Sequence, residues 1–463
     1  MPFAAGVYAV LYILTLIDAL TAFGPAKPVA VAGLAVFVVL EAPRIRPMQR
    51  FAAMLLGFGG LAAAYWSDGP AGLGAAAYDG FYRALPFMVL FAAVMSLQRP
   101  AVASPSFRAI GESVVRQPPG RRFLMLAFAG HYLGAVLNLA GLQLVTSLLD
   151  PSMSRGLRER LTVAVLRGFS VAVVWSPFFV GMGVILTLVP GVSWLSVAPA
   201  GLPLGAALIL LAWAFDRLTR RRTAAGAHPP VAAVGETPAT STRWLRPALG
   251  VTSIFLALAA PVVALSEAAG VSIVIALGLI APPLALAWQW RLARTGATRT
   301  RPAKLLHEIL ARLPDLRNEA ALFLGATLFG VGLSAAIDPA ALGRLALAAE
   351  LPVWVKAPVL ATAGTLVAGL GVHPVVLAIV VGAVLTPQVL GMPAAAVALL
   401  LAVIWAFGTQ MSPFSATVMQ VSRQLDVPVF RVAWVWNAPF CLPAAAVAGL
   451  VVAAASAIAG AAV

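Results

Sequence analysis

Stretches of about 20 mainly apolar residues follow one another along the chain, each long enough to cross the hydrocarbon of a bilayer. At least about ten can be counted, joined by short polar links. In lipid every backbone amide and carbonyl must be satisfied internally, so such a chain folds as helices or as a closed barrel. A barrel needs short segments of alternating polarity, and this sequence has none. With 61% hydrophobic and 10% charged residues in 463, and a mean hydropathy of +0.96, a soluble domain is excluded. The expected fold class is an all-α integral membrane protein of about twelve transmembrane helices, multi-pass in the inner (plasma) membrane.

The net charge of +15 does not call for nucleic acid, because the bases sit in the links: Arg44 to Arg50, Arg116 to Arg122, Arg155 to Arg160, Arg217 to Arg222, and Arg291 through Arg317. That is the pattern of cytoplasmic loops under the positive-inside rule, and it needs no polyanionic partner; the partner it implies is the lipid bilayer. Links around Asp68, Asp79 and Glu267 are poor in bases and face outward. The segment after Met1 lacks a basic start and carries Asp18, which argues against a cleaved signal peptide. Cys441 is the single cysteine, so no intrachain disulfide exists.

Five regions follow. Residues 1–122 hold N-terminal helices, with apolar runs at Gly6 to Phe23, Val29 to Leu40, Phe51 to Trp66 and Phe81 to Leu97. Residues 123–215 form a first core. Residues 216–247, rich in Ala, Thr, Gly and Pro, read as a flexible cytoplasmic linker. Residues 248–352 hold further helices, an amphipathic helix carrying Leu305, Leu306, Ile309, Leu310 and Leu313, and a surface helix from Pro339 to Glu350. Residues 353–463 form a second core. The alternation of Arg with Leu and Val between Met153 and Arg167 predicts an interfacial helix.

Two interrupted helices organise the two cores. Pro413 lies in the polar stretch Thr409-Gln410-Met411-Ser412-Pro413-Phe414-Ser415-Ala416-Thr417 at the end of an apolar run that starts near Ala394. Ser176-Pro177-Phe178 repeats three of those residues inside a second apolar run. Proline removes a backbone donor and clashes one turn back, so each helix is broken at membrane depth. The freed groups need protein, water or a solute. A proline kink whose serine folds back onto its own helix is the plainer reading of either motif alone; the pair suggests a repeat. Upstream of each lies a histidine, His131 at 45 residues before Ser176 and His373 at 39 before Ser412.

Whether residues 123–149 and 371–391 are spans or re-entrant hairpins stays open, the first turning near Gly134 or Gly141. If 371–391 crosses once, the Ser412 helix runs opposite to the Ser176 helix, as in inverted repeats; if it re-enters, the two are parallel.

The candidate substrate-binding residues are Asn138, Ser176, Pro177, Thr409, Gln410, Ser412, Pro413, Ser415 and Thr417. Hydroxyls, amides and helix N-termini suit a small anionic or neutral solute, with any sodium ion held by freed carbonyls and side-chain oxygens. His131 and His373 are the candidates for ion coupling, since imidazole titrates near neutrality; the competing role is helix packing. Carboxylates are nearly absent from the central runs, Asp18 excepted, and Arg167 is expected to snorkel to an interface.

The run from Gly371-Val372-His373-Pro374 to Thr386-Pro387, followed by a helix broken at Ser412-Pro413, resembles the second half of carriers of the ion transporter superfamily. That group includes citrate and dicarboxylate carriers and the large permeases of tripartite systems. The resemblance implies a secondary active transporter with two inverted repeats, sodium- or proton-coupled uptake of an organic anion, often a homodimer, and for the tripartite type a periplasmic binding protein. In such carriers the hairpin tips often bear a Ser-Asn-Thr-like triplet. Here Asn138 is followed by Leu139-Ala140, and His373 by Pro374.

A membrane enzyme is the competing class. No His-Glu-x-x-His, Gly-x-Gly-Asp or cysteine pair is present to carry such chemistry, so no enzyme activity is expected. No Walker loop is present either, which speaks against ATP-driven transport by this chain alone. A non-transporting accessory subunit is the third reading, and broken polar helices without a ligand argue against it.

Overall fold

The computed structural model describes residues 3–21, 23–115, 119–149, 152–224, 245–336 and 351–461. Among them the chain is helical with no strand, and nine helices are long and apolar enough to cross a membrane. The protein is an all-α integral membrane protein. Most of the linker expected over 216–247 and the surface helix expected at 339–350 lie outside the described residues. The helix Trp194–Ala224 runs into the expected linker, and the next one starts at Leu245.

Part of the difference between nine and about twelve is that Pro47–Ala103 counts once although it holds two arms. Pro47–Ala103 leaves helical geometry at Asp68 and Gly69, where Gly69 has φ 63°. Gly60 and Gly80 both pack on Leu328. Twenty residues of straight helix would hold them about 30 Å apart, so the arms 47–67 and 70–103 fold back on each other. An Asp-Gly pair supplies the reversal. The expected runs Phe51 to Trp66 and Phe81 to Leu97 are those arms.

The helix Arg317–Ala336 fills the fold-back. The Thr327 hydroxyl donates to the Gly80 carbonyl at 2.9 Å and the Ser67 hydroxyl to Ala335 at 3.1 Å. Backbones approach closely there, because a Cβ on Gly332 would strike the Gly60 carbonyl. In lipid, where tails are as apolar as leucine, small residues of this kind let van der Waals packing hold helices together.

Each core repeats one construction. In the first, Pro119–Leu137 reverses at Asn138 (φ 51°) into Leu139–Ser147, and a Cβ on Gly141 would meet Leu133 and Gly134. The following helix, Arg155–Ser170, tightens to a 3-10 turn over Val171–Val174, opens, and resumes as Val180–Leu188. In the second, Val353–Gly369 turns at Leu370 to His373 into Pro374–Val384. Ala394–Met411 then opens at Ser412 and resumes as Ala416–Leu425.

Contacts fix the directions. Gly364 meets Ile404 and Gly369 meets Met411, so the outgoing arm runs alongside Ala394–Met411; Pro374 meets Gly408 and Gly382 meets Leu401, so the other arm returns. Both segments left open above are thus parts of helical hairpins. The second turns at Leu370 to His373, and its first arm is the run Val355 to Leu370 that reads as a span on hydropathy alone.

Across the two cores, Arg158 donates to the Gln424 carbonyl, Gly181 packs on Trp405, and Leu188 and Leu401 share Gly382. The broken helices therefore pass each other antiparallel, although the second segment doubles back as a hairpin. The hairpin does not make them parallel, because its first arm is the run Val355 to Leu370 already counted as a span.

The segment expected to be an interfacial helix, Met153 to Arg167, is instead the first half of a broken helix, with Leu161 to Ser170 all buried. The periodicity of bases and leucines that suggested an interface marks the end of a span. Arg167 does not snorkel. At 5% exposure it donates from Nε to Asn437 Oδ1 (3.2 Å) and from Nη2 to the Trp436 carbonyl (2.7 Å), its guanidinium 4.3 Å from the Phe440 ring centre. Trp436 and Asn437 belong to the π-helical turn Arg431–Asn437, where the widened ladder brings a carbonyl within the guanidinium's reach.

Candidate functional site

Both hairpin tips sit at the breaks. Asn138 bridges the first opening: its Nδ2 donates to the Phe178 carbonyl at 2.8 Å and its Oδ1 accepts from the Val180 amide at 2.9 Å. Asparagine suits this position twice over, since it tolerates the left-handed backbone and carries both a donor and an acceptor. The Ser176 hydroxyl donates to Ala135 at 2.6 Å. The second tip packs Gly371 (φ 113°) against the Phe414 ring, and His373 caps its helix by accepting from the Val375 amide at 3.3 Å.

Between the breaks lies a cavity of about 500 Å³. The first core contributes Asn138, Gln143, Phe169, Phe179 and Val180; the second contributes His373, Trp405, Thr409, Ser415, Ala416, Thr417, Gln420 and Arg423. A third wall comes from the surrounding helices, with Arg46, Gln98, Arg312, Asp315, Glu319 and Phe323. Helices Val180–Leu188 and Ala416–Leu425 both begin at this space. Asn138 takes the Val180 amide and Ser415 the Val418 amide, so what each helix start chiefly lends the space is the partial positive charge of its dipole.

Of the residues singled out by sequence, Asn138, Thr409, Ser415, Thr417 and His373 line the cavity; Ser176, Pro177, Gln410, Ser412, Pro413 and His131 do not. His131 is wedged between hairpin and broken helix, with Nδ1 3.1 Å from the Gly168 carbonyl and Nε2 accepting from Trp175 Nε1 at 2.8 Å. Both ring nitrogens are engaged, an arrangement that suits packing. Gln410 turns away from the cavity, donating to Ala406 at 3.1 Å and accepting from Cys441.

The second break holds itself together. The hydroxyls of Ser415 and Thr417 both donate to the Thr409 carbonyl, at 2.7 and 2.6 Å, and the Ser415 hydroxyl also accepts from the Val418 amide at 3.2 Å. These hydroxyls therefore shape the opening, and the polar side chains lining the space besides them include His373, Arg423 and the pair Gln143–Gln420, in which Gln143 Nε2 donates to Gln420 Oε1 at 3.2 Å. The Ser412 hydroxyl is buried without a hydrogen-bond partner among the described residues. Ser412→Ala should thus leave the melting temperature and uptake close to wild type, a change under about 1 kcal/mol, because no bond is lost. A drop in uptake beyond threefold at equal protein level would show that Ser412 reaches the solute.

Sequence reasoning missed Glu319 and the arginines at the cavity wall. Glu319 falls at the junction of a basic link and an apolar run, where it looks like part of the link. Only the fold-back of the helices around it turns that position inward.

No family model matches the chain, and no curated protein does. Among solved structures, the chain is similar to the YdaH transporter of Alcanivorax borkumensis, whose crystal structure is described as revealing an unusual topology. The likeness covers 89% of this chain and 96% of that one, with a TM-score of 0.52 and 13% sequence identity. At that identity it is the fold that the two share, an all-helical membrane architecture carried over nearly the full length of both.

Proposed function

We propose that the protein is a secondary active transporter that moves a small organic anion across the membrane, coupled to protons or sodium ions. The observation that carries this reading is the meeting of two antiparallel broken helices whose downstream halves both begin at one cavity. A structural kink has no need of such a cavity, and a volume of about 500 Å³ falls in the usual range for a small-molecule site. Two helix N-termini and the guanidinium of Arg423 favour negative charge. The antiparallel course and the repeated hairpin–break construction fit inverted repeats of the ion transporter superfamily type, with alternating access arising as one core rocks against its surroundings. The cavity reaches Arg46 and Arg312, which belong to basic links, so under the positive-inside rule it opens to the cytoplasm. The likeness in fold to a transporter supports the same class.

The test is uptake into proteoliposomes of labelled citrate, succinate, glutamate and benzoate, each with an imposed proton gradient or sodium gradient alone. Accumulation of one of them above its equilibrium level with one gradient is expected. Failure of all four to accumulate or to exchange under either gradient would remove the carrier reading for this class of solute.

A further inference from the structure

The carrier reading leaves open which group feels the driving ion, and the cavity wall contains a candidate outside both broken helices. Two carboxylates line the cavity, Asp315 and Glu319. Asp315 is held by Arg312 and Arg317, each at 3.5 Å. Glu319, in the first turn of Arg317–Ala336, is exposed to the cavity and has no cation within salt-bridge distance among the described residues. An ionised carboxylate facing the space that takes an anion opposes the anion's entry, more strongly in a partly dehydrated cavity than in water. Anything that neutralises it strengthens anion binding, and by reciprocity the anion strengthens the binding of whatever neutralises it. That reciprocity is the thermodynamic content of symport.

We propose that Glu319 is the coupling site: it takes up a proton when the anion loads and releases it when the anion leaves. The proposal rests on the carrier reading above. A proton suits the site better than sodium. A sodium ion needs several oxygens around it, whereas the cations that act on Glu319 are the guanidiniums of Arg46 and Arg317, the latter paired with Glu41 at 2.6 Å. The other titratable groups facing it are Asp315, Tyr8 and, across the cavity, His373. Tyr8 donates its hydroxyl to the Met88 carbonyl at 2.9 Å and stays neutral, and Asp315 is ion-paired. His373 has Nδ1 committed to its helix cap. Per cycle one proton binds a carboxylate oxygen on the loading side and leaves on the other, with no bond otherwise made or broken.

The experiment compares the wild type with Glu319→Gln in proteoliposomes, using whichever of the four anions above the wild type accumulates. Two quantities are read at several pH values: accumulation driven by a proton gradient, and exchange of external label against the same anion inside. The amide mimics the protonated carboxyl, so the variant should exchange at near the wild-type rate, with a flat pH profile, and fail to accumulate. Coupling energies of this kind correspond to roughly 5–150-fold changes in anion affinity, so the wild-type apparent affinity should rise within that range as pH falls while the variant's does not. Gradient-driven accumulation retained in Glu319→Gln overturns the proposal. Loss of both accumulation and exchange in a monodisperse variant also overturns it, since Glu319 would then be a solute contact. If the wild type itself neither accumulates nor exchanges, it is the carrier reading that fails.

Discussion

Replacing Asn138 with leucine should both unsettle the fold and stop transport. Leucine has no group to bridge the first break, so the Phe178 carbonyl and the Val180 amide lose their partners at 2.8 and 2.9 Å in a site that is 8% exposed. Each buried group left unpaired costs about 1–3 kcal/mol. The backbone at φ 51° adds about 1–2 kcal/mol for a side chain that, unlike asparagine, does not favour the left-handed region. The two effects act in the same direction, and a total of at least about 3 kcal/mol should appear as a clear fall in melting temperature in detergent. Asn138→Gly separates them, because glycine accepts the backbone while still lacking the bridge. Its melting temperature should fall between wild type and leucine, and uptake should fall with either change because the hairpin tip no longer pins the break. A leucine variant that melts with the wild type would mean that the bridge contributes nothing to stability.

The second large effect is steric. Ala416 stands in the first turn of the resumed second helix, and its side chain is exposed to the cavity. Tryptophan there puts a bulky indole into a space of about 500 Å³ at the start of the resumed helix, in the way of a solute bound against that end. Uptake should drop to the level of empty liposomes while expression and melting temperature stay near wild type, because the ring enters open space and not packed core. Ala416→Ser, which scarcely changes the volume, should transport normally. Full uptake by Ala416→Trp would move the solute path out of this cavity.

How far the sequence alone reaches is seen residue by residue. Ser176-Pro177-Phe178 and Ser412-Pro413-Phe414 announce the two breaks because proline inside an apolar run has a fixed physical consequence. Asn138 is legible as a polar residue at depth, and its bridging of the first break is a consequence of the fold. The turns at Asp68-Gly69 and at Leu370 to His373 are less visible, since hydropathy measures affinity for lipid and is blind to a reversal of direction. A hairpin arm such as Val353–Gly369 is as apolar as a short span. Side-chain direction is also hidden: Ser176 and Ser412 share a motif, yet the first hydroxyl bonds the hairpin and the second has no partner among the described residues. His131 and His373 look equivalent by spacing, but Trp175 and Gly168 occupy the first ring while the second reaches the cavity. Arg167 reads as a surface residue because its partners, Trp436 and Asn437, lie some 270 positions along the chain.

The bridge from Asn138 to the first break also bears on how the protein is made. Its partners lie about 40 residues apart, within one hairpin and the helix after it, so the bonds can close as soon as that stretch has left the ribosome. The polar backbone of the first opening then enters lipid already satisfied, before any of the second core exists. The second opening closes on itself in the same way through Ser415, Thr417 and the Thr409 carbonyl. The openings of each half are thus closed before the halves meet, and assembling the two brings together apolar faces such as Gly181 on Trp405 and the bonds of Arg167 to Trp436 and Asn437. A nascent chain built this way does not have to hold an unpaired amide in hydrocarbon while it waits for its other half.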